Sequence, residues 1–126
     1  IIDGPFTIDG EGGPIELTPF RVGHGSIDSL GFRVSGLAYL PDVAEIYDGT
    51  WPLLEDLDIW IVDALRRTPH PSHAHLERTL EWIAQVRPRR AILTNMHVDL
   101  DYATVASETP EHVMPAYDGL KLDLEI

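Results

Sequence analysis

The sequence predicts a layered α/β fold, because its second half alternates short apolar runs with amphipathic stretches. Residues 58–63 and 91–94 are short, nearly all-apolar runs, as in strands that are buried on both faces. Residues 72–86, between these runs, repeat apolar side chains at helical spacing. A strand, a crossing helix and a second strand form the basic unit of a sheet covered by helices.

The helix of residues 72–86 has recognisable ends. Ser72 is a good N-cap residue, and Pro88 stops the helix because the residue before a proline avoids the α region. Its predicted apolar face consists of Leu76, Leu80, Ile83 and Ala84. A second helix is predicted for residues 99–108, followed by short strands at 113–116 and 120–124 around the turn at Asp118 and Gly119.

The first half of the chain favours strands and turns. Residues 3–14 are rich in Gly, Asp and Pro and indicate a hairpin. Residues 15–22 alternate apolar and polar side chains, as a half-buried strand does, and residues 31–40 give a second strand signal. We expect residues 23–30 to be a loop and residues 51–57 to be a short helix.

The composition limits the classes of protein that this chain can be. With 126 residues, 44% of them hydrophobic, it is large enough for one domain with a core. It has no cysteine, which excludes disulfides, thiolate metal sites and Cys nucleophiles and fits a reducing cytoplasm, where we expect the protein. The formal charge of −12 makes nucleic acid an unlikely partner for this segment. The chain contains no run of about 18 apolar residues, so its sequence predicts no membrane span.

Imidazole and carboxylate side chains recur just after predicted strands. His24 follows the strand that ends at Val22, and Asp42 follows Leu40. His70, His73 and His75 come after Asp63, and His97 comes after Thr94. Ligands of layered α/β folds gather on the loops beyond strand ends, so these side chains are expected to converge. The alternative is that each is an ordinary polar residue of a turn.

Such a group of side chains suits a metal site. Imidazole and carboxylate together bind Zn, Mn or Fe, and a pair of cations can clamp a phosphate and generate hydroxide near neutral pH. Nucleophilic and nucleotide-binding alternatives lack their motifs, since the chain has no G-x-S-x-G, no G-x-G-x-x-G after a strand and no Walker-type G-K-[ST].

An ordered set of segments resembles the C-terminal half of metallo-β-lactamase-fold phosphodiesterases. The resemblance is to the phosphoribosyl cyclic phosphate phosphodiesterase and ribonuclease Z-like branch, and it spans nearly the whole chain. Each segment is weakly specific alone, and the ordered set is fairly specific. The matching segments are 20–25, 31–34, 37–43, 61–66, 71–76, 92–97 and 116–120.

This resemblance implies one half of an αβ/βα four-layer sandwich of the α/β (α+β) class. Residues 1–126 would then be the C-terminal part of a single domain. The family's H-x-H-x-D-H motif, which lies in the N-terminal half, is absent from these residues. The start of the chain has no Met and no signal-peptide pattern and begins as a cut fragment would. We expect pairing of the halves to bury Trp60, Ile61, Val62, Ile92 and Leu93.

The activity that the resemblance implies is metal-dependent phosphodiester hydrolysis. Hydroxide bound by two divalent metal ions, Zn or Mn, would attack a small cyclic phosphodiester or a nucleotide-like molecule. A small phosphorylated substrate is therefore the expected partner, and a homodimer is possible. Alternatives are ribonuclease Z-like RNA processing, a non-catalytic binding or assembly domain, and a lactonase or thioesterase on the same fold. We expect the isolated segment to be inactive and to bind metal weakly.

Roles in this family map onto matching positions of the chain. His24 resembles a metal ligand, and Asp42 resembles the carboxylate that bridges both metals. His73 resembles the histidine that contacts the scissile phosphate and protonates the leaving group, so it is both the catalytic and a substrate-binding candidate. Asp63 is left open between orienting a ligand, holding the loop of Arg66, and a purely structural role.

The chain departs from the family at the last ligand. The family has Leu-Thr-His where this chain has Asn95, and a histidine follows two residues later as His97. Because side chains at i and i+2 share a strand face, His97 is our candidate for the last metal ligand if the strand continues. Asn95 and Arg66 are substrate-binding candidates. His75 is another, and it competes with His73 for the catalytic position if the register shifts.

Overall fold

The computed structural model describes residues 2–126, which form one seven-stranded mixed sheet with helices. The sheet order follows the chain order, so every strand pairs with its neighbour in sequence. The strands are β1 (Phe6–Ile8), β2 (Ile15–His24), β3 (Ile27–Val34), β4 (Leu37–Leu40), β5 (Ile59–Asp63), β6 (Arg90–Thr94) and β7 (Val113–Pro115). The predicted α/β class is confirmed.

The direction of the strands decides which ends meet. Strands β1 to β4 pair antiparallel, whereas β4 to β7 pair parallel. Strand β2 therefore runs in the same direction as β4, β5, β6 and β7. The C-terminal ends of these five strands lie at one edge of the sheet.

The predictions for residues 23–40 were wrong in detail. Residues 23–30 are not a loop, because β2 extends to His24 and β3 already begins at Ile27. Gly25, with φ of +68°, makes the tight connection that allows this hairpin. The single strand predicted for residues 31–40 is two strands, joined by the turn at Ser35 and Gly36.

Among residues 2–126, three helices connect or flank the parallel strands. They are a 3-10 helix at Asp48–Leu54, α1 at Leu76–Val86 and α2 at Tyr102–Glu108. The 3-10 helix begins before the helix predicted at 51–57 and contains Pro52. Helix α1 ends as predicted, with Arg87 in the left-handed region just before Pro88.

The predicted start of α1 was wrong, because His75, and not Ser72, is its N-cap residue. The backbone of Ser72 belongs to the preceding loop, where its carbonyl accepts a hydrogen bond from His24. Helix α2 begins at Tyr102 and not at residue 99. The side chain of Asp101 accepts the Thr104 N–H at 3.1 Å, which is the geometry of an N-cap.

The core lies between the helices and one face of the sheet. Trp60, Val62 and Leu93 are fully buried there, together with Leu76 and Ile83 of α1. Ala84, expected on the apolar face of α1, is exposed. Ile92 is buried on the opposite sheet face, where its register partner Ile61 is only half-buried, so the prediction for Ile61 holds in part.

The strand predicted at residues 120–124 does not form. Side chains from Lys121 to Glu125 alternate between exposed and half-buried, which is the pattern that suggested a strand. Within residues 2–126, however, no neighbouring strand pairs with this segment, and alternation without a hydrogen-bonding partner does not make a strand. None of the helices in the same part of the chain combines the length and hydropathy needed to cross a bilayer.

Candidate metal centre

Three side chains from separate parts of the chain meet at the C-terminal edge of the sheet. His24 ends β2, Asp42 follows β4 and His73 lies in the loop after β5. Each offers one ligand atom, and these atoms all lie within 4.8 Å of one another. Two imidazoles and a carboxylate are a donor set that Zn and Mn accept. The residues therefore fit a divalent cation.

The ring of His24 is oriented by a backbone carbonyl. Its Nδ1 lies 2.5 Å from the carbonyl oxygen of Ser72. A carbonyl only accepts, so Nδ1 carries the proton and Nε2 keeps its lone pair. Metal-ligating histidines are fixed in this way by a partner on the other ring nitrogen. The hairpin turn allows this approach, because a Cβ on Gly25 would lie 3.0 Å from the Cβ of Ser72.

Backbone contacts position Asp42 beside His24. Just after Asp42, the N–H of Ala44 donates to the carbonyl of Gly23 at 2.7 Å. Ser29 of β3 donates its hydroxyl to the Asp42 carbonyl. The side chain of Asp42 remains 48% exposed, and its Oδ1 lies 3.9 Å from Nδ1 of His73. The backbone contacts thus fix Asp42 at the edge of the sheet, while its carboxylate remains accessible to a cation.

A buried carboxylate orients His73. The Nδ1 of His73 donates to Oδ2 of Asp63 at 2.7 Å, which leaves Nε2 of His73 free of this contact. Asp63 is fully buried at the end of β5, and the Val43 N–H donates to the same oxygen at 3.2 Å. Burial raises the pKa of Asp63, and the hydrogen bond from His73 and then that from Val43 act in the opposite direction.

The contacts of Asp63 distinguish the three roles considered for it. It does not hold the side chain of Arg66, whose Nε and Nη2 donate to the carbonyls of Thr68 and Pro69. It contacts His73, so orientation of a site residue is what the geometry supports. Asp63 was not among the predicted site residues. The available signal was an acidic residue at the end of an otherwise apolar strand.

The structure does not bring His97 into the cluster. Strand β6 ends at Thr94 and Asn95 adopts a left-handed conformation with φ of 63°, so the strand does not continue to residue 97. The side chain of His97 is 63% exposed, and its Nδ1 lies 3.8 Å from Asp99. The assumption of a continuing strand, on which the choice of His97 depended, was wrong.

Asn95 faces the cluster instead. Its Nδ2 lies 3.4 Å from the carbonyl oxygen of Pro41 and 3.4 Å from Nδ1 of His73. The second contact is not a hydrogen bond to a lone pair, because Nδ1 of His73 already donates to Asp63 at the shorter distance. The amide is therefore a polar group at the rim, next to both His73 and the Asp42 loop.

Two other predicted substrate-binding residues lie on either side of His73 in sequence. His75 is half-buried at the N-cap of α1 and is not one of the three clustered residues. Arg66 is half-buried in the loop that leads from β5 towards His73. Of His73 and His75, the geometry favours His73 for a role at the cluster.

His70 is a neighbour of the cluster that was not among the predicted site residues. Its ring centroid lies 5.3 Å from that of His73, and the rings of His73 and His24 are 4.7 Å apart. Nδ1 of His70 accepts the Ser72 N–H at 3.1 Å. Burial lowers the pKa of His70, and the nearby charges of Arg66, His73 and His24 lower it further. No spacing in the sequence distinguishes His70 from the other histidines.

Solved structures share this architecture. A diphosphatase from the PhnP family matches with a TM-score of 0.93 and 29% identity, over 100% of this chain and 48% of its own. The short form of human tRNase Z matches with a TM-score of 0.69 and 20% identity, over 98% of this chain and 47% of its own. This chain thus spans about half the length of each. Fold and site together define a protein of the metallo-β-lactamase fold, for which divalent metal binding is implied.

The family follows from a match to the sequence. The model of the beta-lactamase superfamily domain matches residues 1–96, so the chain belongs to that superfamily. An octanoyltransferase of Porphyromonas gingivalis (strain ATCC BAA-308 / W83) is 27% identical over 122 residues. That match covers 94% of this chain but 24% of the relative, so the name of the relative assigns no activity to this segment.

Proposed function

We propose that the chain is part of a metal-dependent phosphodiesterase that acts on a small cyclic phosphodiester or a nucleotide-like molecule. The observation that carries this proposal is the convergence of His24, Asp42 and His73 within 4.8 Å. Both histidines direct Nδ1 to a protein acceptor, so each has Nε2 available for a cation or a substrate. Imidazole rings that are oriented in this way are expected in a reactive site, whereas ordinary polar residues of a turn do not need such orientation.

The cluster explains how each residue would contribute to hydrolysis. Two divalent cations, Zn or Mn, would supply positive charge to the phosphoryl oxygens and would acidify water near neutral pH. His24 and Asp42 would hold them, together with ligands from the rest of a longer protein. His73 would contact the scissile phosphate and give a proton to the leaving oxygen through Nε2, while Asp63 fixes its ring.

Two chemically related types of bond are candidates for cleavage. The resemblance to phosphoribosyl cyclic phosphate phosphodiesterases favours a cyclic phosphodiester. The similar solved structure named as a diphosphatase favours a phosphoric anhydride between two phosphoryl groups. Ribonuclease Z-like processing of RNA fits less well, because the formal charge of −12 opposes a large polyanion. In both favoured cases the partner is a small phosphorylated molecule.

The test uses the full-length protein, purified without chelator. We expect about two divalent ions per chain by elemental analysis, and metal-dependent hydrolysis of adenosine 2′,3′-cyclic phosphate or of bis(p-nitrophenyl) phosphate. Fewer than one ion per chain together with no hydrolysis would favour a non-catalytic binding or assembly domain. Hydrolysis of lactones or thioesters but not of phosphodiesters would contradict the proposed substrate class.

His73→Ala separates catalysis from metal binding. The proposal expects kcat to fall by about 10²- to 10⁴-fold, as for the loss of a general acid, while the metal content remains that of the wild type. His24→Ala, its matched control, should lower the metal content itself. Loss of metal from His73→Ala to the same extent would make His73 a ligand and would overturn its assignment as the proton donor.

A further inference from the structure

The loop from β5 to α1 is positively charged in a chain that is otherwise acidic. Residues 64–75 contain two arginines and three histidines but no Asp or Glu, although the chain has 21 acidic residues and only 9 Lys and Arg. His73, at the centre of the proposed site, lies in this segment. The loop therefore offers the anion-binding charge that the rest of the chain does not.

The two arginines of this loop have opposite roles. Arg67 donates through Nη1 and Nη2 to the two carboxylate oxygens of Glu108, at 2.9 Å each, so its charge is paired. Arg66 bonds only to backbone carbonyls, with Nε 3.1 Å from the Thr68 oxygen and Nη2 2.6 Å from the Pro69 oxygen. These bonds fix the guanidinium without neutralising it. Within residues 2–126, Nη1 of Arg66 makes no hydrogen bond.

His70 lies between Arg66 and the cluster of His24, Asp42 and His73. The carbonyls that hold Arg66 belong to the two residues just before His70, and the His70 ring lies 5.3 Å from the ring of His73. The bond from the Ser72 N–H occupies the lone pair of Nδ1, so the proton of neutral His70 is on Nε2. Arg66 lies close enough to His70 for its charge to lower the pKa of that imidazole, and His70 in turn lies beside His73, so both residues offer N–H donors on the same side of the cluster.

We propose that Arg66 and His70 form a subsite for a second phosphoryl group of the substrate, directly next to the scissile one. This inference rests on the proposed function. A planar guanidinium and an imidazole N–H suit the several oxygens of a phosphoryl group. Because the His70 and His73 rings are in contact, the two positions fit adjacent groups of one ligand. The substrate class is accordingly a diphosphate ester.

Two readouts test this subsite in the full-length, metal-loaded protein. The first is the ratio of kcat/KM for ADP-ribose, a diphosphate ester, to kcat/KM for the p-nitrophenyl ester of thymidine 5′-monophosphate, which has one phosphoryl group. The second is the Kd of methylenediphosphonate, measured by calorimetry. Arg66→Gln and His70→Ala are the test variants. Arg67→Gln is the matched control, since it removes an adjacent arginine whose charge Glu108 already pairs.

We expect Arg66→Gln to lower the kcat/KM ratio and to weaken methylenediphosphonate binding by about 10- to 100-fold, as for the loss of a charge-assisted hydrogen bond. His70→Ala should shift both in the same direction, and Arg67→Gln should shift neither. Equal effects of Arg66→Gln and Arg67→Gln, or none, would overturn the subsite. If wild-type protein hydrolyses neither of these esters and neither adenosine 2′,3′-cyclic phosphate nor bis(p-nitrophenyl) phosphate, the proposed function fails, and the calorimetric comparison still decides whether the subsite exists.

Discussion

The carboxylate of Asp63 joins His73 to the backbone of the loop that carries Asp42. One oxygen, Oδ2, accepts the Nδ1–H of His73 at 2.7 Å and the N–H of Val43 at 3.2 Å. Val43 directly follows Asp42 in the chain, so a single buried atom fixes two of the three clustered residues relative to each other. Asp63 is a positioning residue, since it touches His73 and not the space between the ligand atoms.

Asp63→Asn should weaken this arrangement without creating a cavity. An amide oxygen in the place of Oδ2 can accept both N–H groups, but it carries no negative charge and therefore accepts them more weakly, while the NH2 group takes the place of Oδ1. Loss of an outer partner at a metal site typically costs about 10- to 100-fold in metal affinity or activity. Asp63 supports the proposed ligand Asp42 through the N–H of Val43, which bears on metal affinity, and it supports the ring of His73, which bears on activity. In the full-length protein we expect a loss of this size in Zn affinity, measured by competition with a chelator, and in kcat/KM.

A buried control distinguishes orientation from general loss of packing. Thr79, which is fully buried, donates its hydroxyl to the Asp63 carbonyl at 2.6 Å, and within residues 2–126 its side chain makes no hydrogen bond to His73. Thr79→Val should lower the free energy of unfolding by about 1–2 kcal/mol and leave the Zn affinity near the wild-type value. Equal losses of Zn affinity in both variants would mean that Asp63 acts only through stability.

Asp63 should also make the stability of the metal-free protein depend on pH. Burial raises the pKa of Asp63, so the folded protein holds this proton more tightly than the unfolded chain does. Its contribution to the free energy of unfolding is complete below the ordinary aspartate pKa, about 4, and is lost as the pH rises through the raised pKa.

The measurement compares wild type with Asp63→Asn in EDTA by urea unfolding at several pH values above 4. The free energy of unfolding of wild type minus that of the variant should decrease as the pH rises, by at most about 1.4 kcal/mol per pH unit. A difference that stays constant over this range, or that increases, contradicts the assigned direction.

The position of His97 predicts that it makes no contribution to metal binding. Its side chain is exposed beyond the end of β6, whereas His24 belongs to the cluster. His97→Ala should keep the metal content and chelator resistance of the wild type, and His24→Ala should lose both. Comparable losses in the two variants, measured by elemental analysis after gel filtration, would return His97 to the ligand set.

The close packing of β2 on β3 requires a residue without a side chain at position 31. Gly31 is the register partner of Phe20, whose ring covers the glycine, and a Cβ there would also lie 2.9 Å from Cδ1 of Leu40. Gly31→Ala should lower the free energy of unfolding by about 1–3 kcal/mol through overpacking. Gly49→Ala is the control, since a Cβ at residue 49 meets no heavy atom within 4 Å. Chemical denaturation of both variants checks this difference.

Much of the layered part of the fold was predictable because it depends on local patterns. The apolar runs at β5 and β6 and the amphipathic α1 appear where periodicity placed them. Helix starts were less certain, because Ser72 has the right chemistry for an N-cap but its carbonyl is used by His24. That bond joins residues 48 positions apart, and no local pattern contains it.

The candidate site was predictable to the extent that strand ends reveal it. His24, Asp42 and His73 follow strands whose C-terminal ends share one edge, and topology alone brings them close. His97 was misplaced because the left-handed conformation of Asn95 ends β6, and a sequence does not announce such a turn at an asparagine. The places of Asp63 and His70 beside His73 could not be predicted, because they depend on side-chain contacts that no local sequence pattern contains.

The agreement between sheet order and chain order affects how the protein is assembled during synthesis. Each new strand finds its docking edge already formed by the strand made just before it, so no edge must stay open for a distant segment. Short sequence separation between paired strands reduces the entropy lost on closing the connecting loops, which favours rapid folding. A nascent chain paused after β6 would already carry His24 at the end of β2, and Asp42 and His73 in the segments that follow the finished strands β4 and β5.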